Sequence, residues 1–316
     1  MTDDDRSSLL LREIFLAGFM SGLPAANVAW AAARLASTMT DLRVQVGDVI
    51  YKKGDAPEEH FFVVDGEVKL ETDDAPPWTF GERSLIGTFD LLLGRPRART
   101  AVATRSTHLL RMPAQDWMDM LEDNFELTLS AVTGLAAGID DLRVVLGDVE
   151  VKVPRVATKL AWSAPTGKIG LIDRIFALRG IPLFAEADVQ ALTNLAVPAE
   201  ELSFEPGEPL VVRGESNGSL FVMMSGEVSA KRAESAQVET FGPGQLVFGS
   251  AALAAENLAQ EARAATATRA LRIAREDYID VMEEHFALAH SALKAISLER
   301  EALVNEKGRR AVDESG

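Results

Sequence analysis

The chain contains no cysteine among its 316 residues. That excludes a disulfide scaffold, a thiol nucleophile, an iron–sulfur cluster and a cysteine-ligated zinc, and it fits a reducing, cytoplasmic setting. Histidine is scarce: His60, His108, His285 and His290 are the whole set. None has chelating spacing, so no metal site is expected, and all four are expected at the surface or half buried. Basic residues are outnumbered, 32 Lys and Arg against 48 Asp and Glu, for a formal net charge of −16. Such a field repels phosphate polymers and anionic membranes, so direct nucleic-acid binding is not expected. Long apolar runs are missing as well. The stretch Leu9 to Phe19 is interrupted by Arg12 and Glu13. Nothing approaches the ~18 to 20 apolar residues of a spanning helix, and no membrane insertion is expected.

What is present is an ordinary globular composition, 47% hydrophobic and 25% charged, on a length that predicts two domains at roughly 150 residues each. An internal repeat gives those domains an identity. Gly47-Asp48-Val49-Ile50, Gly54-Asp55 and Phe61-Phe62-Val63-Val64-Asp65-Gly66-Glu67-Val68 return as Gly207-Glu208-Pro209-Leu210, Gly214-Glu215 and Phe221-Val222-Met223-Met224-Ser225-Gly226-Glu227-Val228, each glycine displaced by 160. Asp116-Trp117 and Phe125 return as Asp277-Tyr278 and Phe286, displaced by 161. A whole domain is duplicated, with one net residue of loop change.

Within each copy, short β-rich runs are punctuated by Gly-Asp or Gly-Glu, the pattern of a small antiparallel barrel or sandwich. Helical spacing flanks each β region, over Val28 to Leu35 and Trp117 to Leu146, then over Val189 to Leu195 and Tyr278 to Val304. The predicted boundaries are an N-terminal tail 1–9, a domain 10–146, a linker 147–170, a domain 171–306 and a disordered tail 307–316.

The order helix, glycine-punctuated barrel, helix, with Gly-Asp-x-Ile-x-x-x-Gly-Asp and Gly-Glu-Val, resembles the cyclic-nucleotide-binding domain of cAMP receptor proteins, protein kinase A regulatory subunits and cyclic-nucleotide-gated channels. The resemblance implies an α+β, mainly β fold. It consists of two tandem β-barrels of the double-stranded β-helix, jelly-roll type, each flanked by N- and C-terminal helices.

It also implies a phosphate cassette of the form Gly-Glu-Leu … Pro-Arg-Ala-Ala-Thr. There a short helix faces the cyclic phosphate, an arginine fork pairs with its oxygens, and the glutamate accepts from the ribose hydroxyl. In the first copy Gly87, Thr88 and Phe89 precede Arg97, Ala98, Arg99 and Thr100. The Gly87 to Arg97 spacing and Pro96-Arg97-Ala98 match the cassette, whereas Thr88 replaces the glutamate and Arg99 a small residue. A neutral hydroxyl accepts less strongly than a carboxylate, which implies a cAMP affinity reduced by about one to two powers of ten. Arg95, Arg97 and Arg99, if they converge, suit a more highly charged anion such as a cyclic dinucleotide.

In the second copy Phe248-Gly249-Ser250 stands at the Phe-Gly-Glu position. Counting back from the shared strand, Leu258 takes the arginine's place, and Arg263 falls at the equivalent of Val102, outside the cassette. The second cassette is therefore expected to be degenerate.

Gly214-Glu215-Ser216-Asn217-Gly218 has the pattern of a nucleophile elbow but sits between strands, where a hairpin loop is expected. With no acid/base constellation elsewhere, no enzyme is expected. Val132, Leu135, Ile139, Leu142 and Leu146 form an a/d stripe that packs either on its own barrel or on a twin helix, so the helix 125–146 is a candidate homodimer surface. A second stripe, Leu293, Ile296 and Leu303, is interrupted at Arg300. Beyond Asn305 too few residues follow for a DNA-reading helix-turn-helix, which argues against a transcription factor. The expectation is a regulatory protein with a protein partner, no bound cofactor, and cAMP or another cyclic nucleotide as candidate ligand in the first domain. The alternative is a nucleotide-independent scaffold.

Overall fold

The computed structural model describes Arg12, residues 25–147, Val151, and residues 167–214, 218–232, 238–254 and 260–313. The expected tail 1–9, most of the expected linker, the Glu215-Ser216-Asn217 loop and Leu258 lie outside the described residues. Two compact units divide the chain: Met1–Ser130 with Asn305–Gly316, and Ala131–Val304. These limits differ from the boundaries expected at 146 and 306, because each falls inside a long helix rather than in a linker.

The first copy runs α1 (Ala25–Thr38), β1 (Thr40–Val44), β2 (Val49–Tyr51), β3 (Glu59–Asp65), β4 (Val68–Thr72), β5 (Ala75–Phe80), β6 (Leu85–Ile86), α2 (Thr88–Leu92), β7 (Thr100–Ala103), β8 (Thr107–Pro113), α3 (Ala114–Asp123) and α4 (Phe125–Leu146). Its strands form two four-stranded antiparallel sheets, β1-β8-β3-β6 and β2-β7-β4-β5. The expected jelly-roll arrangement is present, as two sheets that do not close into one ring of strands. β3 is buried from His60 to Val63 without alternation, since both of its faces are covered. Phe61 stacks on Tyr51 of the other sheet at 6.0 Å, while His60 on the opposite side meets Trp117 of α3 at 5.0 Å.

The loops follow from the Gly-Asp doublets. Gly47, Gly54 and Gly66 have φ of 87°, 94° and 101°, which a residue with a Cβ resists. The acid after the turn glycine then accepts the N–H three residues back: Gln45 from Asp48, Lys52 from Asp55 and, in the second copy, Glu205 from Glu208.

The second copy repeats the plan with α5 (Leu171–Arg179), a 3₁₀ turn at Pro182–Phe184, α6 (Val189–Ala196), β9 (Glu200–Phe204), β10 (Pro209–Val211), β11 (Ser219–Ser225), β12 (Val228–Arg232), β13 (Val238–Phe241), β14 (Leu246–Val247), α7 (Gly249–Ala254), β15 (Gln260–Ala264), β16 (Thr268–Ala274), α8 (Arg275–Glu284) and α9 (Phe286–Asp313). Its sheets are β10-β15-β12-β13 and β14-β11-β16-β9. Tyr278, at the place of Trp117, is fully buried edge-on to Phe184, and its hydroxyl donates to the Leu183 carbonyl at 3.3 Å.

Several expectations change at the helices. Each long C-terminal helix is two: the chain leaves helical geometry at Asn124 and at His285, and the Asn124 side chain caps α4 by accepting the Leu127 N–H at 2.9 Å. The expected disordered tail is helical through Asp313. Arg300 does not break α9. It lies against Gly138 of α4, where the missing side chain leaves room, while Leu293, Ile296 and Leu303 are buried. Of the stripe offered as a dimer face, Val132, Ile139 and Leu146 are buried within the chain while Leu135 and Leu142 are half-buried, and Arg143 of α4 pairs with Glu299 at 2.6 Å. Among the described residues no helix is long and apolar enough to cross a membrane.

Candidate functional site

The first cassette lies between β6 and β7. Gly87, at φ 83°, ends β6 and starts α2, and an ideal Cβ on it would sit 2.6 Å from the Arg97 Nη1. Only glycine lets the guanidinium come this close. Arg97 is 3% exposed. Its Nη1 donates to the Gly87 carbonyl at 2.6 Å, its Nη2 donates to the Glu59 carbonyl, and its guanidinium lies over the Tyr51 ring at 4.4 Å. Its backbone is fixed by pairing with the Gly54-Asp55 loop, at 2.8 Å in both directions.

Arg97 is therefore a buried cation held by carbonyl dipoles and a π face, and its Nε has no hydrogen-bond partner among the described residues. Burying a charge costs several kcal/mol, roughly, and dipoles with a cation–π contact of about 2 kcal/mol offset that only in part. Burial pushes the Tyr51 hydroxyl up from its ordinary value. The charges of Arg97 and Arg99 pull it down, and that of Asp90 pushes it further up.

The neighbours do not converge on Arg97 as a cyclic-dinucleotide site requires. Arg95 turns to Asp90, its Nε donating to Oδ1 at 2.9 Å. Arg99 stacks on Trp78 at 4.1 Å and donates to the Pro76 carbonyl at 2.8 Å and to Asn305 Oδ1 at 2.7 Å, all within the first unit. Each is drawn off by a nearer acceptor, so three arginines in alternation give one cation at the cassette. The Ala98 N–H donates to Asp90 Oδ2 at 3.3 Å, Thr100 Oγ1 accepts the Lys53 N–H at 3.0 Å, and Phe89 meets Trp78 edge-on at 6.0 Å.

Thr88, at the glutamate position, is bonded to protein. Its Oγ1 lies 3.3 Å from His60 Nδ1, and His60 Nε2 faces Met112 Sδ at 3.2 Å. His60 is completely buried, contrary to the expectation for the histidines, because β3 is covered on both faces. Burial and then the Arg97 charge push its pKa down to about 3, so the ring is neutral.

In the second cassette the strand register shifts the expected match by one. Phe61 pairs with Ile86, and Phe221, its counterpart, with Val247. Phe248 therefore takes the place of Gly87, in the same left-handed region at φ 49°, and Gly249 and Ser250 follow at the places of Thr88 and Phe89. Phe248 is buried edge-on to Phe241 at 5.6 Å, and Ser250 is buried in α7. Arg263 pairs in register with Pro209 and Ser229, as Val102 does with Val49 and Lys69. Its side chain is exposed and donates to the Gly207 carbonyl at 3.2 Å.

Asp90, His60, Tyr51 and Trp78 lie outside the residues that the cassette pattern picks out. Asp90 alone carried a signal, an acid in the first turn of the cassette helix.

Two glycine-turned jelly rolls, each carrying a short helix between its sixth and seventh strands, make a tandem duplication of one α+β module. The family model described as "Cyclic nucleotide-binding domain" matches residues 42–124 and 201–285, more than half of the chain. The protein belongs to the cyclic nucleotide-binding domain family. It is 32% identical over 84 residues to a cyclic nucleotide-gated potassium channel of Rhizobium etli, covering 27% of this chain and 23% of that protein. It is 24% identical over 168 residues to the lysophospholipase NTE1 of Chaetomium globosum, covering 50% of this chain and 11% of that protein. The chain thus spans less than a quarter of the curated relatives it matches. Among solved structures, a cAMP-bound PfPKA-R fragment (141-441) is 15% identical, with 89% of this chain and 85% of that chain covered and a TM-score of 0.34.

Proposed function

We propose that this chain is a non-catalytic regulatory protein whose first domain binds a cyclic nucleotide weakly, through Arg97, and whose second domain has lost that capacity. The observation carrying this reading is the buried Arg97 guanidinium, held beside Gly87 with no carboxylate in ion-pair contact among the described residues. A desolvated guanidinium of this kind is an anion receptor in waiting. Thr88 is the observation that makes the binding weak. Its hydroxyl is bonded to His60, so the ribose loses the acceptor that a glutamate supplies in the family pattern. A regulatory output further requires that ligand bind two conformations with different affinity, and a protein partner is the reader of that difference.

Calorimetric titration with cAMP and cGMP tests the reading. Dissociation constants weaker than about 10 μM, abolished by Arg97→Ala and by the conservative Arg97→Lys in folded protein, support it. No heat up to millimolar ligand contradicts it.

A second reading, a nucleotide-independent scaffold, is favoured for the second domain by Phe248. A buried phenylalanine stands where the first cassette needs glycine to admit its arginine, and Arg263 points to solvent.

A further inference from the structure

We propose that Asp90 is a specificity-determining residue of the first cassette: its carboxylate is a built-in anion that holds the cassette's donors and keeps a cyclic phosphate out. The inference rests on the reading of that cassette as a nucleotide site and names what limits it.

The side chain of Asp90 is 10% exposed, on the third residue of α2. Its two oxygens are tied to two different parts of the cassette. Oδ1 accepts from the Arg95 guanidinium at 2.9 Å, and Oδ2 accepts from the backbone N–H of Ala98, the residue after Arg97, at 3.3 Å. The Tyr51 hydroxyl, whose ring lies under Arg97, feels the charges of Arg97, Asp90 and Arg99 together. A carboxylate and a guanidinium thus already share one low-dielectric corner. A phosphate entering it brings a second anion against the first and displaces the carboxylate from Arg95 and from the Ala98 N–H. Like-charge contacts in desolvated sites are strongly disfavoured. A bond from Arg95 or Ala98 to the carboxylate is also a bond not made to a ligand.

If Asp90 merely tied the loop 94–98 to α2, its replacement would lower stability and leave affinity unchanged. If it excludes phosphate, removing its charge improves binding. Asp90→Asn keeps the shape and removes the charge, and Asp90→Ala removes both. The probe is a fluorescent cAMP derivative followed by anisotropy on the full chain, with unlabelled cAMP as competitor and thermal melting to certify the fold.

The expected result is that both variants bind cAMP at least ~10-fold tighter than the wild type and lose the gain when Arg97→Lys is added. Folded variants with wild-type affinity overturn the inference, as does a gain that survives Arg97→Lys. The two readings fail separately. Weak wild-type binding left unchanged by Asp90→Asn overturns this inference and leaves the proposed function standing. An undetectable wild type with a gain in Asp90→Asn does the reverse.

Discussion

At the scale of single residues the first cassette is organised by what surrounds Arg97. Gly87 is required twice, for its φ of 83° and for the 2.6 Å approach of the Arg97 Nη1. Gly87→Ala is expected to lower stability by roughly 1–3 kcal/mol in urea denaturation and to remove any nucleotide binding, because the guanidinium must move. His60 makes a second residue-level prediction. Its folded pKa, about 3, lies below its unfolded value, so the native state binds fewer protons between the two. The contribution of His60 to stability is complete above the unfolded value of about 6.5. It falls by ~1.4 kcal/mol per pH unit as the pH drops toward the folded value. His60→Gln should flatten that slope, and the imidazole signals of His60 should stay constant from pH 8 to pH 5. A titration there would contradict its burial. Of these residues the sequence exposed Gly87 and Arg97, because Pro96-Arg97-Ala98 and the spacing to Gly87 are local. It hid His60, whose environment depends on Trp117 and Met112 arriving from elsewhere in the chain.

At the scale of elements the turns and helix ends decide the repeat. A Cβ on Gly66 would lie 2.4 Å from Thr107 Oγ1 and 2.6 Å from the Ser106 carbonyl, and one on Gly226 would lie 2.4 Å from the Ala267 carbonyl. Among the described residues nothing lies within 4 Å of the same position on Gly47. Gly66→Ala and Gly226→Ala should therefore cost about 2–4 kcal/mol each, and Gly47→Ala only about 1 kcal/mol from its φ, as read by chemical denaturation. Equal effects at the three sites would contradict the packing. These turns were legible because a glycine and the acid after it are local signals. The helix breaks at Asn124 and His285 were not, since helical spacing runs on through both. The second cassette was misread by one residue for a related reason. Gly249 matches the motif, yet strand pairing to Phe221 fixes Phe248 in the left-handed position.

At the scale of the whole molecule the duplication was the clearest reading, and the chain's ends the least clear. The segment taken for a tail continues α9, and within the first unit Asn305 accepts from Arg99 while Gly308 packs on Pro76. Asn305→Ala should lower the stability of that unit by about 1–2 kcal/mol, followed by tryptophan fluorescence in urea, because the buried Arg99 loses an acceptor. No change would contradict the contact. The duplicated units have diverged at their cassettes, one keeping an arginine beside glycine and the other filling that place with Phe248. The most direct test is an amide correlation spectrum of the labelled full chain titrated with cAMP to millimolar concentration. The account predicts the largest shifts at Tyr51, Trp78 and the segment Gly87 to Thr100, with no direct binding shifts centred on residues 249–264. Shifts centred on residues 249–264, or none at all, would contradict it.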